Sequence, residues 1–202
     1  MKNFIKYTFD WFTSLIATIV FMPLIILPIA VIIKLTSKGP VLFKQKRIGQ
    51  NKKFFYVMKF RTMRIDTPKD VPTHQLKNPE QYITPIGRFL RKTSLDEVPQ
   101  LFNILKGEMS IIGPRPALWN QDDLIAERDK YGANKLRPGV SGWAQINGRD
   151  TLTIQEKAKL DGDYVKKQSF WFDIYIIILS ALKLFKDDSV VEGGTGKIGK
   201  DK

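Results

Sequence analysis

The sequence predicts an α+β fold: a single, mainly helical domain carrying one short β-hairpin, anchored by a re-entrant N-terminal membrane helix with a proline break. Three observations carry that prediction. An uncharged apolar run fills residues 11–33, two short stretches rich in β-formers follow at 41–43 and 54–60, and helical apolar spacing appears at 98–105. At 202 residues the chain has room for one domain with its own core plus an anchor. The expected divisions are 1–36 for the membrane helix, 37–190 for a cytosolic-face domain with interfacial helices, and 191–202 for a disordered tail.

The N-terminal run holds about 23 residues, enough to cross a bilayer as a helix. It is not a signal peptide, because its apolar part is too long and no small-residue cleavage site follows. A plain span would carry its positive charge mainly on the cytoplasmic flank. Here Lys2 and Lys6 lie on one side and Lys34, Lys38, Lys44, Lys46 and Arg47 on the other. Pro23 and Pro28 fall inside the run, where proline removes hydrogen bonds and kinks a helix. Both flanks therefore read as cytoplasmic, and the run as a helix that enters one leaflet, bends at Pro23 and returns.

Ser37-Lys38-Gly39-Pro40 is a turn cluster. The two β-forming stretches after it, with Gly49-Gln50-Asn51 between them, read as a hairpin with basic side chains. On a strand Lys59 and Arg61 would share a face, which with Arg64 nearby could hold a diphosphate. A solvated basic edge is the alternative. The stretch 66–79 is polar and proline-punctuated, an exposed loop with the lone His74 as a surface residue. Residues 84–91 begin a helix in which Arg88 and Arg91 sit one turn apart. Arg91 is a candidate phosphate or carboxylate partner, with a surface salt bridge as its rival reading.

The stretch 92–116 concentrates the chemistry. Val98, Leu101, Phe102 and Leu105 are spaced for one apolar helix face, and Gly107 stands where a C′ glycine would end it. Ser94 with Glu97 fits a capping box, but that start puts Pro99 inside the hydrogen-bond ladder. With Asp96 as the N-cap, Pro99 falls in the first turn, where no N–H is needed. The second reading is favoured. It sets the adjacent carboxylates Asp96 and Glu97 at the positive end of a helix, beside the place a phosphate would bind. The alternative is that Asp96 only caps and Glu97 is an ordinary first-turn acid. Downstream, Arg115 is held between two prolines.

Residues 119–131 alternate acids and bases at helical spacing, a solvated helix. The glycine-punctuated segment 136–149 carries Arg137, Gln145, Asn147 and Arg149, donors suited to phosphate or uracil, unless it is only a structural loop. Residues 169–185 are apolar but interrupted by Asp173, and read as an interfacial helix or a buried core helix. Glycine and lysine fill 193–202.

Composition limits the partners. A formal charge of +13, from 33 Lys+Arg against 20 Asp+Glu, calls for an anionic one. No helix-turn-helix, RNP or zinc pattern accompanies it, so nucleic acid is set aside. With no cysteine, there is no disulfide framework and no thiolate metal site.

The string S-L-D-E-x-P-Q-L-x-N-x-L-K-G-x-M-S-x-I-G-P-R-P at 94–116 closely resembles the signature of the small, monotopic polyprenol-phosphate phosphoglycosyl transferases of bacteria. Lys59-Phe60-Arg61-Thr62-Met63 and 137–149 match two further segments of that family, and the likeness covers about residues 1–190. Two positions depart from it: Met22 precedes Pro23 where the family has a serine, and Leu160 replaces a tyrosine. Thr18 is a candidate to take over the serine's hydrogen bond.

The resemblance implies transfer of a sugar-phosphate from a UDP-sugar to undecaprenyl phosphate with release of UMP. It implies Asp96 as nucleophile in a ping-pong scheme and Glu97 as its partner in binding Mg²⁺ or managing protons. Lys59, Arg91 and Arg115 would compensate phosphate charge, and Arg61, Arg137, Gln145, Asn147 and Arg149 would bind substrate. It further implies a minimal family form on the cytoplasmic face of the bacterial inner membrane, held against anionic lipid and feeding downstream glycosyltransferases. The competing class is a non-catalytic scaffold of a glycan assembly complex.

Overall fold

The computed structural model describes residues 2–67, 78–148 and 151–186. The fold is mainly helical with two small sheets. The apolar run forms α1 (Lys2–Phe21) and α2 (Leu27–Thr36), joined by a π-helical stretch at Met22–Ile26. Pro23 widens the helix there and does not interrupt it. A proline has no N–H to give and its ring displaces the preceding carbonyls, which a wider turn accommodates. Thr18 donates its hydroxyl to the Ser14 carbonyl, one turn short of the carbonyls that Pro23 disturbs. Together Asn3–Thr36 are long and apolar enough to cross a membrane.

Strands β1 (Leu42–Ile48) and β2 (Phe54–Phe60) pair antiparallel, from Leu42 opposite Phe60 to Ile48 opposite Phe54. The first strand runs past the predicted 41–43 and takes in Lys44, Lys46 and Arg47. The turn between the strands includes Asn51 and Lys52 at positive φ. Helix α3 (Pro85–Lys92) follows, capped by the Thr84 hydroxyl, which accepts from the Gly87 N–H.

The helix start at the acidic pair differs from both readings of the sequence. Ser94 is left-handed (φ 54°) and Leu95–Glu97 form a single 3₁₀ turn. Helix α4 (Gln100–Leu105) begins only after Pro99, and no side chain caps either start. Proline splits the ladder: the tighter 3₁₀ turn satisfies the N–H groups before it, and the α ladder restarts behind it. Asp96 therefore sits inside a turn and is not an N-cap. Gly107 does end α4, at φ 76°.

A second sheet, absent from the sequence reading, pairs β3 (Ser110–Ile112) parallel with β4 (Gly139–Ser141). Between them runs α5 (Asp122–Asp129). The short α6 (Trp143–Ile146) falls within the predicted glycine-rich loop. Thr153 and Glu156 form a capping box opening α7 (Ile154–Lys167), and α8 (Phe170–Lys186) follows. That box, T-x-x-E, is legible in the sequence as a helix start. The lone His74, Arg149 and the 191–202 tail lie outside the described residues.

Four apolar clusters hold these elements together. Ile26, Ile29 and Ile33 pack on Phe60 and Leu90, so the apolar helix is built into the domain. Ile104 and Met109 pack on Phe55 and Val57, joining α4 to β2. Ile112, Leu136, Ile146, Tyr164 and Ile176 form the third cluster, and Ile48, Ala117 and Leu124 the fourth. Helix α8 is thus buried along one face, with Ile176 fully covered, while Phe170, Trp171, Tyr175, Ile178 and Leu182 are exposed on it. The buried-core reading of 169–185 fits the face that carries Ile176. Arg128 of α5 reaches Asp161 of α7 at 2.7 Å in a buried ion pair. Burial pushes the Asp161 carboxyl up, and the Arg128 guanidinium pulls it back.

One polar side chain fixes α4 against β2. Asn103 is fully buried and donates to the Tyr56 carbonyl at 2.8 Å while accepting from the Met58 N–H at 2.9 Å. Asn103→Leu keeps the bulk but leaves both strand groups without their partner, an expected cost of about 1–3 kcal/mol for each. Denaturant unfolding in detergent, together with faster hydrogen exchange at the Met58 amide, checks this. A wild-type unfolding midpoint would sink it.

Candidate active site

Strand alternation decides which basic residues meet the acidic pair. Phe55, Val57 and Lys59 share the face of β2 that lies on α4, and the first two are buried there. Lys59 is next along that face and half-buried. Its ammonium donates to Glu97 Oε1 at 2.6 Å and stands 3.8 Å from Asp96 Oδ2. Asp96 is 3% exposed, covered by the turn that carries it. Arg115 Nη1 stands 3.7 Å from the same Glu97 oxygen. Two carboxylates thus lie under two cations, with Lys59 and Arg115 the more exposed partners at the opening.

Arg115 owes its position to a crossing of backbones. The segment Gly113-Pro114-Arg115-Pro116 passes directly over the 137–142 segment. Gly113 N–H donates to Ser141 O, and Gly139 N–H to Pro114 O, both at 2.9 Å. A Cβ on Gly139 would lie 2.1 Å from Gly113 N, and one on Gly142 would lie 2.1 Å from Gly113 O. The glycines of 137–142 are spent on this approach. The GPRP segment also lies along β1, where Ile48 N–H donates to Ala117 O at 2.9 Å and Arg47 bridges Leu118.

Several candidates from the sequence make other contacts in this structure. Arg61 follows the last residue of β2, so the strand alternation that aims Lys59 no longer applies to it. Its guanidinium is buried and bonds the Ser37 and Lys38 carbonyls at the exit of α2. Arg64 pairs with the exposed Asp66. Arg91 donates its Nε to the Thr62 hydroxyl at 2.9 Å. Arg137 stacks on the Tyr7 ring of α1, 4.1 Å from its centroid, and its backbone N–H donates to the Tyr7 oxygen. Gln145 donates to Val140 O and Asn147 to Trp143 O.

Arg47 is the residue the sequence reading missed, counting it only as flanking charge. It lies near Arg115 and Glu97, and burial first, then Arg115, pushes its guanidinium down to about 9 while Glu97 partly restores it. It stays protonated at neutral pH. A signal existed in its alternation with Lys46 along β1, which pairs it with Phe55 and puts it on the sheet face of Phe55, Val57 and Lys59.

The acidic pair suits a hard cation that shares its shell with a substrate. Among the described residues no three His, Cys, Asp or Glu side chains converge. Mg²⁺ is typically held by one or two carboxylates plus substrate phosphates and water, which Asp96 and Glu97 can supply in part.

The family of proteins described as bacterial sugar transferases matches residues 1–187. A UDP-glucose:undecaprenyl-phosphate glucose-1-phosphate transferase of Xanthomonas campestris pv. campestris is 38% identical over 182 residues, 87% of this chain and 37% of that protein. An uncharacterized sugar transferase, EpsL, of Bacillus subtilis (strain 168) is 38% identical over 186 residues, 92% of this chain and 90% of that protein. A UDP-N-acetylgalactosamine-undecaprenyl-phosphate N-acetylgalactosaminephosphotransferase of Aeromonas hydrophila is 37% identical, over 86% of this chain and 42% of that protein. The chain thus spans well under half of the first and third, and nearly all of the second.

Gly139→Ala probes the crossing that sets Arg115. The added methyl has no room beside Gly113 N and Ser141 O, so the two segments must separate, at an expected cost of about 1–3 kcal/mol. A melting temperature equal to wild type would show that the crossing is looser than described.

Proposed function

Because the chain belongs to the bacterial sugar transferase family, we propose that it moves a sugar-1-phosphate from a UDP-sugar to undecaprenyl phosphate, releasing UMP. The observation that carries this reading is the buried Asp96 carboxylate lying 3.8 Å from the Lys59 ammonium, beside a Glu97 held by Lys59 and Arg115. A carboxylate can attack phosphorus and split one hard displacement into two. It must then be ionised, and the phosphate oxygens must meet fixed positive charge.

In the first step an Asp96 oxygen forms a bond to the sugar-bearing phosphorus, and the bond from that phosphorus to the bridging oxygen breaks. UMP leaves with the electron pair, and a sugar-phosphoryl-aspartate remains. In the second step a phosphate oxygen of undecaprenyl phosphate attacks the same phosphorus. Asp96 is released as a carboxylate and the product is a diphosphate-linked lipid sugar. Lys59 and Arg115 neutralise phosphate charge in both steps, the guanidinium being able to grip two oxygens at once. Arg91 stands one helical turn from Arg88 on α3 and would contribute to the same field. Glu97 orients Lys59 through their 2.6 Å contact. Mg²⁺, held by Asp96 and Glu97, would supply further neutralisation of the diphosphate. Arg149 is kept as a candidate substrate ligand. The lipid-linked product is of the kind that glycosyltransferases then extend.

The same reading extends to the membrane. Both halves of the apolar helix touch one domain: α1 through Lys6, Tyr7 and Trp11, and α2 through Ile26, Ile29 and Ile33. A straight helix of this length would run about 50 Å. Sending it across the bilayer would pull one end off the domain. The contacts therefore support a helix that dips into one leaflet around Pro23, where Ile16, Ile19, Val20, Leu24 and Leu27 are exposed. On this reading the acidic pair would lie on the cytoplasmic face of the inner membrane, where a soluble UDP-sugar and a lipid phosphate can meet. Exposed basic residues would hold it against anionic lipid.

UMP release by purified protein with Mg²⁺, a panel of UDP-sugars and undecaprenyl phosphate tests the proposal. UMP is expected with at least one donor, and Asp96→Asn is expected to abolish it. Undiminished release by folded Asp96→Asn protein would remove the covalent step, and no release with any donor would favour a scaffold.

A further inference from the structure

Arg115 can serve the acidic pair only if its guanidinium is aimed there, and its neighbours in the chain give it little help. It is flanked by Pro114 and Pro116, and proline has no N–H with which to tie a segment to the fold. The segment is held through its carbonyls instead. Pro114 O accepts from the Gly139 N–H at 2.9 Å, on the side before Arg115. Pro116 O accepts from Arg47 Nη1 at 3.0 Å, on the side after it. One of these two contacts is backbone and the other is a side chain.

Arg47 is well placed for that task. Its backbone bridges Leu118, and the next residue, Ile48, bonds Ala117, so β1 runs beside the segment just downstream of Arg115. Its second nitrogen, Nη2, donates to Gln45 Oε1 at 2.6 Å, two residues back on the same strand face. The guanidinium fork is thereby fixed at both prongs. Arg47 is also a like charge beside Arg115 and an opposite charge near Glu97. Repulsion of that kind disfavours Arg115 conformers that fold back over β1 and leaves those that reach toward Glu97.

We propose that Arg47 is a positioning residue for Arg115: by holding the Pro116 carbonyl it aims the Arg115 guanidinium at Glu97 and at the phosphate that the acidic pair receives. This deepens the transferase reading and rests on it for the identity of the phosphate. The fork is essential, because a lysine ammonium at this position could not hold Pro116 O and Gln45 together in one plane.

The test compares Arg47→Gln, Arg47→Lys, Arg115→Gln and the double variant Arg47→Gln/Arg115→Gln. Two readings are taken, kcat/KM for UMP release and equilibrium affinity for UMP. Arg47→Gln is expected to lower kcat/KM on the order of ten- to hundredfold, as misplacement of a catalytic group does. The double variant is expected to be no worse than Arg115→Gln alone, because the effect of Arg47 passes through Arg115. Arg47→Lys is expected to share the loss, despite keeping the charge.

Multiplying losses in the double variant would overturn the proposal, as would full rescue by lysine or an Arg115→Gln variant with wild-type kinetics. If Arg47→Gln does not fold, the same comparison is made with Arg47→Lys and its double variant. The UMP titration separates this inference from the reaction itself. Non-additive loss of UMP affinity in protein that turns over no donor would sink the transferase reading and leave the positioning role standing.

Discussion

The site depends on one buried amide. Among the described residues strand β2 has β1 on one edge only, and its other edge presents the Tyr56 carbonyl and the Met58 N–H to the interior. Buried backbone groups of this kind must find partners. Asn103 answers both, because its side chain carries an acceptor and a donor at the spacing a neighbouring strand would offer. Its Nδ2 also donates to Glu108. Since Asn103 lies on α4, satisfying the strand edge also fixes the helix. The 3₁₀ turn that precedes α4 then has one place to go, which is under Lys59. Hydrogen-bond accounting in the core and the geometry of the acidic pair are one requirement.

A second constraint is electrostatic. Lys59, Arg47 and Arg115 gather within reach of Glu97, and like charges in a confined space repel unless carboxylates or a bound anion lie between them. The protein supplies two carboxylates, and so holds the cations in place ahead of any substrate. Much of the remaining positive charge serves structure: Arg61 ties off α2, Arg128 holds α7 through Asp161, and Lys6 pairs with Asp173. The two ion pairs are already neutral within the net charge of +13, so its excess lies with residues outside them.

The sequence showed its local patterns plainly and its long-range contacts poorly. The hairpin, the apolar helix and the helix after the acidic pair follow from residue periodicity, which acts over a few positions. Lys59 and Arg115 come together with the pair as the motifs led one to expect. Arg61, Arg137, Gln145 and Asn147 are engaged by other protein groups instead, for two reasons. Strand alternation was carried one residue too far at Arg61. The donors of 137–147 were counted as available, although a guanidinium can be spent on a tyrosine ring and an amide on a nearby carbonyl. The parallel β3–β4 pair joins segments nearly thirty residues apart through three-residue strands, too short to leave a periodic trace.

The apolar helix is better understood as part of the core than as a tether. Lys6 bonds Asp173, Tyr7 accepts from Arg137, Asp10 bonds Ser110 and Trp11 bonds Leu105. These partners belong to α8, the 137–142 segment, β3 and α4. Asp10 and Ser110 are buried together, and Tyr164 donates to the other oxygen of Asp173. Burial and that carboxylate raise the Tyr164 phenol, so it remains a donor. The elements that α1 touches are those that position the acidic pair: α4 follows directly on the turn that carries it, and 137–142 crosses the Arg115 segment. A change in how α1 sits would therefore be felt at Arg115 through two or three rigid contacts. A tether would leave the height of the site above a membrane free to vary. A helix woven into the same polar network would fix that height along with the site itself.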